Sequence, residues 1–438
     1  ASWRYTAYNQ PRIGSLVSRK NMKLGKKLAN NKLFKFVKLL LKSKVFFKVQ
    51  NKKNLVIFDN TSLEALKKYL LKDYDYFVIQ NRIESANEFY LSPKILFTIL
   101  KNYILYFSKK IQIQDIYFLS FIEVLNPKVV FTFIDNNFQF STIAKYTKNK
   151  NIKFIALQNG HRQNRDEILF LFNKKLIKKN LNLDFFIPHY LCLGEFEKDD
   201  CIKHSINVGK FTFAGNIRLA NFLNDLKLDK IKISKNKYDI CLLSDHGSCY
   251  NNYYGLNMNK ISQADSGLVK LTKYTIEFCI KKKLKLILLF KRNIRLAAAD
   301  YKGEQRWYKE KFSEREYDYI LKNSQQNDGL FSGYKSSFES KVVVANMSTL
   351  LRENLVCGNK ILSCNLTKSD LYDFPLKGIC SINNCDYEQF ENRLLTILEI
   401  SKSDYFSKIE KNKNYLIHTD NPETCFRIIR NSINEYLQ

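Results

Sequence analysis

The chain has 438 residues, with 72 lysines and arginines against 42 aspartates and glutamates, a formal charge of +30. Hydrophobic residues make up 45% and aromatics 14%, with 14 glycines and 6 prolines, which excludes a disordered tail, a collagen-like repeat and a low-complexity polymer. At roughly 100 to 200 residues per domain, the length calls for two domains, each with a sizeable core.

Residues 1–21 carry three of the fifteen arginines, and from Met22 onward Lys, Asn and Leu dominate, so the first segment reads as an expression-derived or flexible arm. From Lys20 to Lys53 there are twelve lysines and no acidic residue. Leu33, Phe36, Val37, Leu40 and Leu41 recur at helical spacing among Lys32, Lys35, Lys38 and Lys42, which predicts a basic amphipathic helix across residues 22–48. Such a helix lies on an anionic bilayer or packs on its own domain with a solvated lysine face. Nucleic acid is the other partner class a basic chain suggests. Against it, no RRM, KH, zinc-finger or helix-turn-helix signature is present and the lysines spread over the whole sequence. No apolar stretch reaches the ~18 residues of a membrane span, because Lys101 interrupts residues 94–107. Nor is there a signal peptide with a cleavage site.

Next in chain order come residues 54–59 (NLVIFD), a buried strand, then a helix in SLEALKKYLL, a strand at 75–80 and a helical region at 93–124. Residues 127–135 (PKVVFTFID) form a strong strand, 141–148 a helix, 151–160 a strand, and 184–195 continue the alternation. A second series follows a lysine-rich stretch ending near Lys237, with strands at 238–245, 283–292, 341–347, 360–365 and 378–383. The reading is α/β: two tandem Rossmann-like, doubly wound domains, the first over 22–220 with the basic helix and the second over 221–438. Neither half carries GxGxxG or a P-loop, which argues against a nicotinamide oxidoreductase or a P-loop ATPase. The ten cysteines all follow residue 191 without CxxC or zinc-finger spacing, so they read as reduced core thiols in a reducing compartment.

Ligands of open α/β sheets bind beyond the carboxyl ends of strands. Four such ends are polar: IDNN (134–137), LQNGHR (157–162), LSDHGS (243–248) and LFKRN (289–293). A fifth is ANMSTLLREN, where Ser348 and Thr349 follow a strand and open a helix carrying Glu353. A hydroxyl pair at a helix N-terminus suits a phosphate, or simply caps the helix. Glu353, one turn on, would repel that phosphate and is better matched to a ribose diol. His161 and His246 stand at strand ends among polar neighbours. Asp135 ends an apolar strand, where an unpaired carboxylate is costly, unless it is a helix N-cap. Asp245 is a candidate carboxylate beside the sugar, or a turn cap.

GNIRLANFL at the domain junction and STLLRENLVCGNKILSCN resemble the GT-B class of nucleotide-sugar enzymes. More narrowly, VVFTFIDNNFQFSTIAK and IKFIALQNGHR resemble a family of bacterial lipopolysaccharide and capsule glycosyltransferases. The resemblance implies a donor site of Ser348 and Thr349 on phosphate, Glu353 on ribose, His246 nearby, and Lys291 and Arg292 on the leaving phosphate. It implies Asp245, His161 or Asp135 as catalytic groups, and Gln158, Asn159, Arg162 and Asn136 facing the acceptor across the cleft. No metal and no cofactor are expected, since no DxD-type pair sits in a suitable setting. The donor would be a nucleotide-sugar, with a CMP-linked 3-deoxy-ulosonic acid (Kdo type) fitting the resemblance and UDP, GDP and dTDP donors open. The acceptor would be a lipid-linked or growing glycan, and the location cytoplasmic, peripheral to the inner membrane. A nucleotide-sugar epimerase, a CDP-polyol phosphotransferase and a non-enzymatic basic RNA- or glycan-binding scaffold are the competing readings.

Overall fold

The computed structural model describes residues 44–48, 53–60, 63–80, 88–106, 111–147, 150–161, 185–244, 258–293, 298–327, 329 and 331–438. The chain passes through β1 (Lys44–Phe46), β2 (Leu55–Phe58), α1 (Leu63–Lys67), β3 (Tyr76–Ile79) and β4 (Glu88–Tyr90) to α2 (Pro93–Tyr106) and α3 (Ile113–Leu125). Then come β5 (Val129–Thr132), α4 (Phe138–Tyr146), β6 (Lys153–Leu157), β7 (Phe186–Cys192), α5 (Glu195–Lys203), β8 (Asn207–Phe213) and α6 (Ile217–Lys227). Six of these strands form a parallel sheet in the order β3-β2-β5-β6-β7-β8.

Both faces of this sheet are covered, which is why its central strands read as unbroken apolar runs. Their side chains still alternate. Val56, Phe58, Val130 and Phe154 pack against Phe118, Phe121 and Ile122 of α3 and Phe140 of α4. Leu55, Ile57, Val129 and Phe131 point the other way, into a layer built by α1 and α6 and completed by residues 425–433.

The second half runs β9 (Tyr238–Leu243), α7 (Met258–Lys281), β10 (Leu286–Asn293), α8 (Ala298–Lys311), α9 (Glu314–Lys322), β11 (Ser324–Asn327), α10 (Ser332–Phe338) and β12 (Ser340–Ala345). It ends with α11 (Thr349–Val356), β13 (Lys360–Asn365), β14 (Ser381–Asn383), α12 (Tyr387–Glu399), α13 (Lys402–Ser407) and α14 (Pro422–Leu437). The second sheet has the order β11-β10-β9-β12-β13-β14, again parallel throughout. In each sheet the first strand entered has neighbours reached by crossovers in opposite directions, β3 and β5 around β2, and β10 and β12 around β9. A crevice opens at such a switch. The expected pair of doubly wound sheets is present.

Several expectations are corrected in detail. Lys44–Phe46, placed at the end of the basic helix, is a strand paired with β4, and the Phe46 ring stacks on Tyr90 at 5.1 Å. The rest of that helix, residues 22–43, lies outside the described residues. Helix α4 starts at Phe138 instead of Ser141, because the Asn137 side chain accepts from the backbone N–H groups of Gln139 and Phe140. Asn137 is therefore the N-cap of that helix, not Asp135. Strands β4 and β11 were not foreseen, being three and four residues long, and β11 reads SQQN without an apolar run. Helix α6 spans residues 220 and 221, and α14 returns to the first sheet, where Cys425, Phe426, Ile429 and Ile433 close the layer under β2 and β5. Eight of the nine described cysteines are buried, as core thiols should be.

Candidate active site

The turn after β6 and the start of α11 meet at the carboxyl edges of the two sheets. The His161 backbone N–H donates to Thr349 Oγ1 at 2.9 Å, and His161 Nδ1 lies 3.0 Å from the same oxygen. The two residues are 188 positions apart. Gly160 makes the approach possible, since a Cβ there would stand 3.2 Å from Thr349 Oγ1. Both His161 and Thr349 are half-buried.

Beneath this contact the turn is braced from inside. Gln158 is buried, donates from Nε2 to the Gly160 carbonyl at 2.9 Å, and accepts the Leu193 N–H at 2.9 Å. Asp135 is also buried; it accepts the Tyr190 hydroxyl at 2.9 Å and the Asn159 N–H at 3.4 Å. Gln158, Asn159 and Asp135 thus hold the turn that presents His161. Asn136 is half-buried beside them. Arg162 lies outside the described residues.

Ser348 acts as the N-cap of α11, its hydroxyl accepting the Leu350 N–H at 3.3 Å. Capping leaves the first turn of the helix ordered and its positive end at the cleft. Glu353 is 2% exposed and accepts the Tyr334 hydroxyl at 2.8 Å. Burial pushes its carboxyl up to about 7 from 4.5, against the lowering effects of the Tyr334 hydrogen bond and the Arg218 charge. Tyr334 stacks on Phe222 at 5.0 Å, and the Arg218 guanidinium lies 5.3 Å from the Phe133 ring centre. Neither partner of Glu353 was singled out from sequence, because an isolated tyrosine or arginine carries no motif.

A carboxyl raised in the folded state holds its proton more tightly there than in the unfolded chain. The stability it contributes is complete below about pH 4.5 and is lost as pH rises to about 7. Glu353→Gln, neutral at every pH, is expected to remove a fall on the order of 3 kcal/mol across that window. Urea titrations at a series of pH values would check it. An unchanged slope would mean that Glu353 is ionised throughout.

At the second sheet's other central strands, the buried Glu304 of α8 accepts the Ser244 hydroxyl at 2.5 Å and the Lys291 N–H at 3.0 Å. It ties the carboxyl ends of β9 and β10 together, a role for which residues 298–311 carry no motif. The Lys291 side chain is exposed. Arg292 belongs to β10, but its side chain, like Asp245 and His246, lies outside the described residues. Lys360, the first residue of β13, donates to the carbonyls of Ile397, Leu398 and Ile400 and so caps the end of α12. Asp59, at the carboxyl end of β2, is buried with φ 91°, a conformation that a non-glycine residue rarely holds. It too was missed, since nothing in NLVIFD signals its backbone.

Helix α11 is also gripped from the first half. Arg352 Nη1 donates to Glu197 Oε1 of α5 at 3.0 Å, with both side chains 0% exposed, and the guanidinium lies 4.9 Å from the Phe196 ring centre. A cavity of about 570 Å³ lies elsewhere, at the amino-terminal edge of the second sheet, lined by Lys237, Lys322, Lys335 and Glu339 among others. That edge carries none of the strand-end chemistry.

No protein-family profile matches the sequence, and no curated protein matches it. Among solved structures the chain is similar to the UDP-GlcNAc 2-epimerase of Methanocaldococcus jannaschii, at 11% identity over 87% of this chain and 99% of that one, with a TM-score of 0.49. It is similar to the wall teichoic acid polymerase TagF at 10% identity over 96% and 97% of the two chains, with a TM-score of 0.48. A glycosyltransferase of Rickettsia africae matches at 13% identity over 89% and 100%, with a TM-score of 0.44. The two-sheet architecture itself rests on the strand order and register given above.

Proposed function

We propose that the chain is a metal-independent glycosyltransferase of GT-B type acting in bacterial surface-polysaccharide (O-antigen or capsule) biosynthesis. The observation that carries the reading is the His161–Thr349 contact, which sets a polar turn at the carboxyl edge of one parallel sheet against a helix N-terminus at the carboxyl edge of the other. Crevices of this kind are where open α/β sheets bind ligands, and the N–H groups of a first helical turn suit phosphate.

In this reading the donor phosphate lies at Ser348 and Thr349 and the ribose at Glu353. A carboxyl raised to about 7 repels phosphate less than an ordinary carboxylate, and when protonated it both donates and accepts toward a diol. Lys291 and Arg292 offset the charge of the leaving nucleotide, with no metal or cofactor required. Asp245 and His246, next in sequence after Ser244, are assigned to the sugar. The acceptor, a lipid-linked or growing glycan at the cytoplasmic leaflet, is assigned to Asn136 and Arg162, while Gln158 and Asn159, buried, hold the turn between them and act on the acceptor only through it. The acceptor hydroxyl forms the new bond to the anomeric carbon and passes its proton to His161 Nε2, while the nucleotide departs with the electron pair of the broken C–O bond. The favoured donor is a CMP-linked 3-deoxy-ulosonic acid, an anionic sugar matched to a cationic chain, and the basic segment of residues 22–43 is read as a contact with the membrane.

Calorimetry against CMP, CDP, UDP, GDP and dTDP tests the reading. One nucleotide is expected to bind selectively, and Glu353→Gln is expected to weaken it by about tenfold. Failure of all five would remove the donor site, and unchanged affinity in the variant would remove the ribose assignment. Product analysis with the matching nucleotide-sugar separates transfer from epimerisation or polyol-phosphate transfer.

A further inference from the structure

We propose that the outer face of α2 docks on the surface of an anionic lipid bilayer. Helix α2 buries Ile95 and Asn102 against the first domain, and Asn102 donates to the Ser120 hydroxyl of α3 at 3.1 Å. The opposite face is apolar and open to solvent. Leu96 is 50% exposed, Phe97 71%, Leu100 59% and Ile104 69%, at spacings of one, four and eight residues that keep them on one side of a helix. Tyr103 widens the stripe. Other large exposed apolar side chains among the described residues, such as Ile202, Leu228, Ile280 and Leu321, belong to different elements and stand singly. Single exposures need no explanation, whereas a contiguous stripe marks an interaction surface.

The charges around the stripe identify its occupant. No residue from Pro93 to Tyr106 is acidic, and Lys94 and Lys101, seven positions apart and both exposed, lie along one flank. The stripe also has a neighbour of the same character. The Leu91 N–H donates to the Phe46 carbonyl at 2.8 Å, which brings Phe47, 69% exposed, and the exposed Lys48 beside the start of α2. The helix itself carries two exposed cations and no acid, so a second copy of the stripe offers its lysines no opposite charge. Anionic headgroups complement the lysines while the acyl boundary takes the aromatic and aliphatic side chains, with the lysine stems reaching outward. At 14 residues the helix is about 21 Å long, short of the ~30 Å hydrocarbon layer, and its other face is fixed to α3. It therefore lies in the interface plane. This surface is independent of the transferase reading and would stand if that reading fell.

The test is flotation of the full chain with vesicles of phosphatidylcholine plus phosphatidylglycerol, against phosphatidylcholine alone. The wild-type chain is expected to float with the anionic vesicles. Phe97→Glu/Leu100→Glu is expected to lower the bound fraction at limiting lipid by about tenfold or more, at an unchanged unfolding midpoint, since both side chains are exposed. Lys94→Glu/Lys101→Glu is expected to reduce binding to the anionic vesicles and its salt sensitivity. Undiminished flotation of the Phe97/Leu100 variant overturns the proposal, as does a wild-type chain that binds neither vesicle. So does a wild-type dimer in lipid-free sedimentation that the Phe97/Leu100 variant dissociates, an outcome that would assign the face to a second copy.

Discussion

Arg352→Ala is expected to cost about 3–5 kcal/mol of stability, because it leaves the Glu197 carboxylate buried without the guanidinium that compensates it. Both side chains are fully enclosed, so water cannot take over the role that it plays for exposed pairs. Glu197→Gln is expected to be milder, since an amide oxygen still accepts from the arginine. Replacing the two together by Met and Leu should recover most of the loss, because the expense of a broken pair lies in the charge left behind. Equilibrium urea unfolding measures all three. A loss below about 1 kcal/mol for Arg352→Ala would place the pair within reach of solvent. The pair joins α5 of the first half to α11 of the second, so the same variant is also expected to loosen the helix whose N-terminus forms the proposed donor site.

On the transferase reading, His161→Ala is expected to lower kcat by about 10²- to 10⁴-fold while changing nucleotide affinity far less. The contact with Thr349 sets a condition on this role. A base acting through Nε2 requires the proton on Nδ1, which then donates to Thr349 Oγ1; the opposite tautomer makes Nε2 a donor. Thr349→Val removes the oxygen and releases that choice, so it is expected to change the pH dependence of kcat, whereas a merely structural contact would lower activity at all pH values alike. Steady-state rates over a pH series distinguish the two. Full activity in His161→Ala would remove the residue from the chemistry.

Much of this was legible in the sequence, for physical reasons that particular residues illustrate. LVIF and VVFT are buried on both faces, so a plain apolar run marked each as a strand, and crossovers between such runs imply parallel sheets. The rule that sites gather at strand carboxyl ends then picked out the turn at residues 158–161 and the Ser348–Thr349 start of α11. The resemblance set the two across a cleft, but the His161–Thr349 contact itself was not legible, because a contact across 188 positions leaves no local pattern. The same limit hid Tyr334 and Arg218 around Glu353, and Glu304 behind Ser244 and Lys291. Asp135 illustrates a different failure. Its position fitted an N-cap, but Asn137 two residues later takes that geometry, and the aspartate turns inward to Tyr190. The strand at Lys44–Phe46 was lost for want of length, since three residues satisfy a helical stripe and an alternating one equally well.

The return of α14 to the first sheet bears on how the chain is made. Leu55, Ile57, Val129 and Phe131 wait for Cys425, Phe426, Ile429 and Ile433, which leave the ribosome roughly three hundred residues after β5. During that interval α1 and α6 alone cover this side of the first sheet, and part of its oily face stays open. Closure of that face is therefore expected to wait for α14, although the strands beneath it are made long before. Splitting the gene between the two sheets would leave the amino-terminal product without its lid, so that fragment should be sought with α14 supplied as a peptide.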